Sequence, residues 1–91
     1  MGQAKLMAME CKILSGEREV FSGEVTGLFA RAAEGWVGIL PGHAPAVFAL
    51  LDAPVRVKLR EGQRTFRVKA GLIEVRKGGT VVFGDEVVEL A

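Results

Sequence analysis

Apolar and polar residues alternate with a period of two through most of the chain. In MECKIL the apolar side chains are Met9, Cys11 and Ile13, and the same alternation recurs in VRVKLR, RTFRVKA and LIEVRK. Successive side chains of a β-strand point to opposite faces, so this period predicts strands with one buried face and one solvent-facing face. Two shorter Val-rich runs, TVVFGD and EVVEL, are predicted as further strands.

Glycines separate these runs. Residues 15–17, 61–63 and 77–79 are predicted turns, and residues 60–63 are predicted to join two strands as a hairpin. The run AVFALLDAP is compatible with a buried strand or a short helix, and no long amphipathic helix is predicted anywhere. One-sided strands are satisfied by two sheets packed apolar face to apolar face, with a closed barrel as the alternative. The predicted class is therefore all-β.

Length and composition restrict the setting of this fold. The 91 residues form one predicted domain, 1–91, in which residues 1–6 are expected to be a loosely ordered leader. The net charge of +1 gives no global attraction to nucleic acid or membrane. The start MGQAKLMAME lacks the apolar core of a signal peptide, no run approaches a membrane span, and the single cysteine cannot form an internal disulfide. A cytoplasmic protein without membrane insertion is predicted.

Catalytic motifs are missing from the sequence. It has one histidine, and it contains no nucleophile elbow, phosphate-binding loop or Cys-x-x-Cys pair. The carboxylates are spread along turns and polar strand faces. Cys11 alternates with apolar positions, which predicts a buried, inert thiol. The chain is therefore predicted to be no enzyme, with no cofactor and no metal ion, and to bind ATP weakly or not at all.

The segment GILPGHAP holds the one histidine, His43, between Pro41 and Pro45. Either the imidazole shapes a turn by bonding a local carbonyl, or it is a contact residue on a loop that the prolines keep rigid. The one tryptophan, Trp36, precedes this segment. If Val37 and Ile39 point inward, Trp36 points outward and could anchor an interface; a core role is the alternative.

A row of basic residues is a further candidate surface: Arg56, Lys58, Arg60, Arg67, Lys69 and Arg76. Such a row could bind nucleic acid. However, none of the phenylalanines is placed by the pattern among these residues, and stacking of bases needs aromatic rings. A solvated face, or one that meets an acidic partner, is the preferred interpretation.

Three stretches resemble a known family. FSGEV at 21–25, EGWVGILPGHAP at 34–45 and AGLIEVRKGGTVVFGD at 70–85 are similar to the epsilon subunit of F-type ATP synthases, called delta in mitochondria. The resemblance covers residues 7–90 and implies a ten-stranded β-sandwich of two packed sheets. It also implies a non-catalytic rotor subunit of the central stalk. That subunit would bind the gamma subunit and the c-ring, on the cytoplasmic face of the bacterial inner membrane, and couple proton or sodium flow to ATP synthesis or hydrolysis.

The resemblance also assigns residues. The implied gamma contacts are Ser15, His43, Ala44 and Pro45. The implied c-ring contacts are Ala33, Glu34, Gly35 and Trp36. The implied loop-shaping residues are Gly38, Pro41 and Gly42. Trp36 and His43 are expected at one exposed end of the sandwich, binding different partners.

The chain departs from the family pattern at three places. Trp36 stands where the family often has an acidic or polar residue, and Ala70-Gly71 stands where it has Gly-Gly. Only Gly71 is therefore expected to adopt an unusual backbone angle. Most members continue beyond the position of Ala91 with a helical hairpin, so no hairpin is expected within this sequence. Two alternatives stay open: a free-standing module binding nucleic acid or an acidic protein, and an accessory domain with a small-molecule pocket.

Overall fold

The computed structural model describes residues 7–91, so the predicted leader at 1–6 lies outside the described residues. This part of the chain contains strands and no helix, and AVFALLDAP belongs to a strand. The all-β prediction is confirmed. The strands are β1 Met9–Ser15, β2 Arg18–Val25, β3 Gly27–Ala32, β4 Gly35–Ile39, β5 Ala46–Lys58, β6 Gln63–Arg76 and β7 Gly79–Leu90.

All seven strands are hydrogen-bonded into one sheet, in the order β2-β1-β7-β6-β5-β3-β4. The β1–β7 pair is parallel and the other pairs are antiparallel. The predicted hairpin joins β5 to β6, where the Leu59 amide donates to the Gly62 carbonyl at 2.9 Å. The predicted turns at 15–17 and 77–79 likewise separate consecutive strands.

The three long strands change face at their middle. In β6, Phe66 and Val68 are buried, but the next buried residues are Ile73 and Val75, so the alternation shifts by one residue. Each long strand has two consecutive exposed residues at the shift: Leu51 and Asp52 in β5, Lys69 and Ala70 in β6, Asp85 and Glu86 in β7. A shift of one residue exchanges the two faces of a strand. Because the shift occurs at the same height in three adjacent strands, we describe it as a kink that runs across the sheet.

The kink divides the sheet into two layers. The first layer contains β2, β1 and the halves 79–84, 71–76 and 46–51; the second contains the halves 86–90, 63–69 and 53–58 with β3 and β4. Phe21 of edge strand β2 and Phe66 of β6 lie three strands apart in the sheet, yet their ring centroids are 5.8 Å apart. Neighbouring strands are ~4.8 Å apart, so only folding of the sheet on itself brings these rings together.

The predicted strand count therefore needs correction. The structure has one sheet of seven strands that folds into two layers, rather than two separate sheets with ten strands in all. The sequence runs on either side of each kink look like separate strands, whereas backbone pairing continues through the kink in β5, β6 and β7. Four undivided strands and three divided ones make ten segments. We call the edge at the kinks the kinked end and the opposite edge the open end.

Close contacts with the neighbouring strands explain the glycines at the kink. A Cβ on Gly71 would lie 2.0 Å from the Phe83 carbonyl oxygen, and one on Gly84 would lie 2.7 Å from Val68 Cγ1. The sequence led us to expect the unusual backbone angle at Gly71. It occurs instead at Ala70, whose φ is +52°. Gly71 is thus needed for close approach, while Ala70 carries the left-handed backbone.

The two layers share one apolar core. Its largest fully buried side chains come from both layers and include Ile13, Ile73, Leu28 and Phe66. Cys11 is fully buried, as predicted, and burial together with the neighbouring Glu10 carboxylate raises the pKa of its thiol to about 12. The thiol is therefore protonated and unreactive at neutral pH.

Candidate interaction sites

The segment around His43 is a tight turn at the open end. Pro41 and Gly42 are the central residues, and the His43 amide donates to the Leu40 carbonyl at 3.0 Å. Proline presets the first central position of a type II turn, and the second needs a positive φ, which Gly42 supplies at +89°. The prediction that Pro41 and Gly42 shape the loop agrees with this geometry.

The His43 ring is held on two sides. Its Nδ1 lies 2.7 Å from the Ala44 carbonyl oxygen, and its ring packs edge-on against Phe48 with centroids 6.2 Å apart. A carbonyl oxygen can only accept, so Nδ1 donates this hydrogen bond. His43 is half-buried, whereas Ala44 and Pro45 are exposed. The His43 side chain can therefore bond a local carbonyl and still be accessible to a partner on the same loop.

A cleft of about 390 Å³ adjoins this turn. Its walls are the turn itself, the segment leading into β1, and the β6–β7 connection with Arg76 and Lys77. The cleft is mainly apolar with cationic side chains at one side, and it lies at the open end of the sandwich. This shape suits a protruding side chain of a partner protein better than a deeply enclosed small molecule.

The second predicted contact segment is the β3–β4 hairpin. Its tip is tied to β5 by the Ala33 amide, which donates to the Ala49 carbonyl at 2.8 Å. Glu34 is exposed, and Gly35 has a φ of +130° at the tip. Trp36 follows with 73% of its surface exposed, and the Arg31 guanidinium lies 6.0 Å from its ring centroid. Trp36 therefore points outward with Gly38, and a core role is wrong.

The expectation that Trp36 and His43 share one end is wrong. Trp36 pairs with Arg31, and the neighbouring Ala30 pairs with Val55, which places the hairpin tip beside the kink of β5. His43 leads instead into Ala46, which pairs with Val75 at the far end of its half-strand. The kink folds the sheet so that the hairpin lies at the kinked end and the turn at the open end.

Ser15 is not brought beside His43. It ends β1 at the kinked end, opposite Gly84, and its hydroxyl accepts a hydrogen bond from the Val87 amide at 3.1 Å. The hydroxyl thus links the two layers. Gly38 also differs from expectation, since it lies within β4 rather than in the loop. A Cβ there would come within 3.1 Å of the Phe29 ring, so its role is to admit that ring.

An apolar row on the outer face of the first layer was not predicted. Register places Leu14, Phe83, Leu72 and Ala49 side by side across four strands. Val47 and Leu51 extend the row along β5 and are 65% and 73% exposed. The sequence signal was present: at these positions both faces of a strand are apolar, so alternation between apolar and polar residues is lost.

The basic row is divided by the fold. Arg56, Lys58, Arg67 and Lys69 share the outer face of the second layer, while Arg60 is near Glu24 and Arg76 bonds Glu74 in the first layer. The sequence argument that aromatic rings are absent from this face is also wrong. Trp36 pairs with Arg31, and Phe29 pairs with Arg56. Phe29 lies on β3 and Trp36 on β4, and both strands reach this face through the long-range pairing of β3 with β5.

Residues 7–91 contain no group of three or more His, Cys, Asp or Glu side chains that could hold a metal ion. Within the same range no helix of sufficient length and hydrophobicity to cross a membrane occurs.

Comparison with known sequences gives a family match. Residues 8–90 match the model of the ATP synthase delta/epsilon chain β-sandwich domain. A curated relative, the ATP synthase epsilon chain of Acinetobacter baylyi, is 38% identical over 84 residues, covering 91% of this chain and 60% of the relative. The epsilon chain of Nitrosococcus oceani is 45% identical over 80 residues, covering 87% and 57%. The chain thus spans about 60% of the length of these relatives.

Solved structures agree on the fold. A chain of the Euglena gracilis mitochondrial ATP synthase superposes with a TM-score of 0.83 at 20% identity, covering 97% of this chain and 56% of its own length. A chain of the Tetrahymena thermophila mitochondrial ATP synthase central stalk and c-ring gives 0.75 at 13% identity, with coverages of 93% and 69%.

Proposed function

The chain belongs to the delta/epsilon family of ATP synthases through its β-sandwich domain, and we propose that it is a central-stalk subunit binding gamma and the c-ring. In this role it couples proton or sodium translocation to ATP synthesis or hydrolysis and carries out no catalysis itself. It is a peripheral part of the complex on the cytoplasmic face of the bacterial inner membrane. The observation that carries this proposal is the family match over residues 8–90.

The gamma interface is assigned to the outer face of the first layer. Ser15 and His43 lie at opposite ends, but the apolar row runs between them: Leu14 precedes Ser15, and Val47 follows Pro45 by two residues. One partner lying along this face would contact both predicted positions. Exposed apolar patches rimmed by polar residues are typical protein interaction sites, which supports the assignment.

The c-ring interface is assigned to the β3–β4 hairpin at the kinked end. The tip residues 33–36 protrude there, and Trp36 provides a large exposed ring suited to anchoring an interface. Ala33 and Glu34 are exposed beside it. The hydrogen bond from the Ala33 amide to β5 fixes the hairpin on the sandwich, so a force applied at the tip is passed to the sheet.

Rigidity is what a rotor subunit needs between its two partners. The Pro41–Gly42 turn fixes the backbone next to His43, and the continuous sheet joins the gamma face to the hairpin without a flexible linker. A partner bound along the outer face of the first layer and another bound at the hairpin tip would therefore turn together.

The test is reconstitution of an ATP synthase that lacks its epsilon subunit. Adding the 91-residue chain is expected to restore ATP-driven ion pumping, and the chain should co-purify with gamma and the c-ring. A chain that folds but associates with neither partner would contradict the proposal. The Glu61→Gln variant, altered at an exposed position of the β5–β6 turn and away from both proposed interfaces, serves as the control and should behave as the unmodified chain.

A further inference from the structure

The outer face of the second layer carries charge and aromatic rings that the proposed gamma and c-ring contacts leave unused. We call it the basic face and define it by these residues: Phe29, Arg31, Trp36, Arg56, Lys58 and Lys69. Only Trp36, at its border, is shared with the proposed c-ring contact. We propose that the basic face is a docking surface for an acidic polypeptide segment.

Two guanidinium groups on this face are available to a ligand. The ion pairs found within residues 7–91 include neither Arg31 nor Arg56. Each lies instead over an aromatic ring, Arg31 at 6.0 Å from the Trp36 centroid and Arg56 at 5.7 Å from the Phe29 centroid. A guanidinium held against a ring is restricted in orientation while its N–H groups remain free to bind a carboxylate.

The neighbouring pair on the same face shows the geometry that a ligand carboxylate would adopt. Arg67 donates through Nε and Nη2 to the two oxygens of Asp52, both at 2.9 Å. This two-bond arrangement is the preferred arginine–carboxylate contact. Arg56 lies on β5, the strand that carries Asp52, and Arg31 lies on the adjacent strand β3, so an extended acidic segment could repeat the arrangement across β3 and β5.

Nucleic acid fits this face less well. Stacking of bases needs accessible ring faces, but Phe29 is half-buried and covered by Arg56. Trp36 is the one largely exposed ring on the face. The basic face presents guanidinium groups that lie over aromatic rings and cover them. Carboxylates are therefore better ligands for this face than stacked bases.

The single tryptophan makes binding directly observable. The full chain is titrated with polyglutamate at low and physiological salt, with Trp36 fluorescence and the anisotropy of labelled polyglutamate as two readouts. We expect saturable binding that weakens with salt, and about tenfold lower affinity in the Arg31→Gln/Arg56→Gln double variant. Arg18→Gln, which removes the same kind of charge from the first layer, should bind as the unmodified chain does.

Several outcomes would overturn the proposal. These are no polyglutamate binding at low salt, equal affinity in a double variant that retains its thermal stability, or tighter binding of oligothymidine or of phosphatidylserine vesicles at equal charge. Association with gamma is measured on the double variant to separate this proposal from the rotor role. It should be unchanged, and its loss in the double variant would show that the basic face belongs to the gamma interface instead.

Discussion

The two outer faces of the sandwich differ although the same three strands supply much of both. In the first layer β5 and β6 present Val47, Leu51 and Leu72; in the second they present Arg56 and Lys69. The change occurs at the kink, where each strand shifts its alternation by one residue. A single strand can therefore contribute an apolar docking surface at one half and a charged one at the other, provided that the kink is held.

The largest expected effect comes from breaking the kink. Gly71→Ala places a Cβ about 2.0 Å from the Phe83 carbonyl oxygen, so β6 and β7 must separate. We expect a loss of about 3 kcal/mol in the free energy of unfolding, measured by urea denaturation.

The matched control for this change is Gly42→Ala at the open end. Gly42 also has a constrained backbone, but no atom lies within 4 Å of the added Cβ, so only the left-handed strain of about 1 kcal/mol applies. Equal losses for the two variants would show that close approach at Gly71 does not hold the kink.

The next effect concerns binding at the kinked end. Trp36→Ala removes a side chain that is 73% exposed, so the free energy of unfolding should hardly change. If the Trp36 side chain is an anchor, the binding free energy of the chain for the c-ring should weaken by about 1–2 kcal/mol. This is measured by titration of the c-ring with the purified chain. Unfolding of this variant would mean that Trp36 stabilises the sandwich rather than an interface.

The sequence predicted the strands and their buried faces but not how far each strand continues. Alternation identified Met9, Cys11 and Ile13 as buried, and Pro41-Gly42 indicated the turn at His43, because both signals are local. Continuity through the kink depends on pairing between β6 and β7 and on the left-handed angle at Ala70. The alternation of apolar and polar residues is a local pattern and does not predict such long-range contacts.

The same distinction explains the site residues. His43 and Trp36 are seven positions apart in the sequence, which suggested one common end. Their separation follows from two long-range features: the pairing of β3 with β5, and the crossing of the β4–β5 connection from the second layer to the first. Composition and spacing cannot specify either feature.

A smaller effect on the free energy of unfolding is expected from relieving the backbone strain at the kink. Ala70 has a φ of +52°, which costs a residue with a Cβ about 1–2 kcal/mol. Ala70→Gly removes that strain but raises the entropy of the unfolded chain by about 0.4–1 kcal/mol. We expect a net stabilisation of about 0.5 kcal/mol in thermal unfolding, with both outer faces unchanged. Destabilisation by more than this amount would show that the Ala70 methyl group contributes packing.

The smallest effect is acid sensitivity of the basic face. The Arg67 hydrogen bonds lower the pKa of Asp52 below its usual value, so the folded state keeps this carboxylate ionised at lower pH than the unfolded state does. The stabilisation is therefore complete above about pH 4 and is lost as the pH falls through the lowered pKa. Asp52→Asn should reduce the acid-dependent part of unfolding measured by urea denaturation from pH 5 to 2; an unchanged profile would rule the pair out as a cause.

The most direct test of the two-partner assignment uses introduced cysteines in the assembled complex. Cys11 is fully buried and its pKa is raised to about 12, so it should not react, and a new surface cysteine becomes the chain's reactive thiol. With a short thiol-directed photocrosslinker, Ala44→Cys should join the chain to gamma, Trp36→Cys should join it to the c-ring, and Val88→Cys on the second layer should reach neither. Crosslinks from positions 44 and 36 to the same subunit, or exchanged between the two, would contradict the assignment of gamma to the first layer and the c-ring to the kinked end.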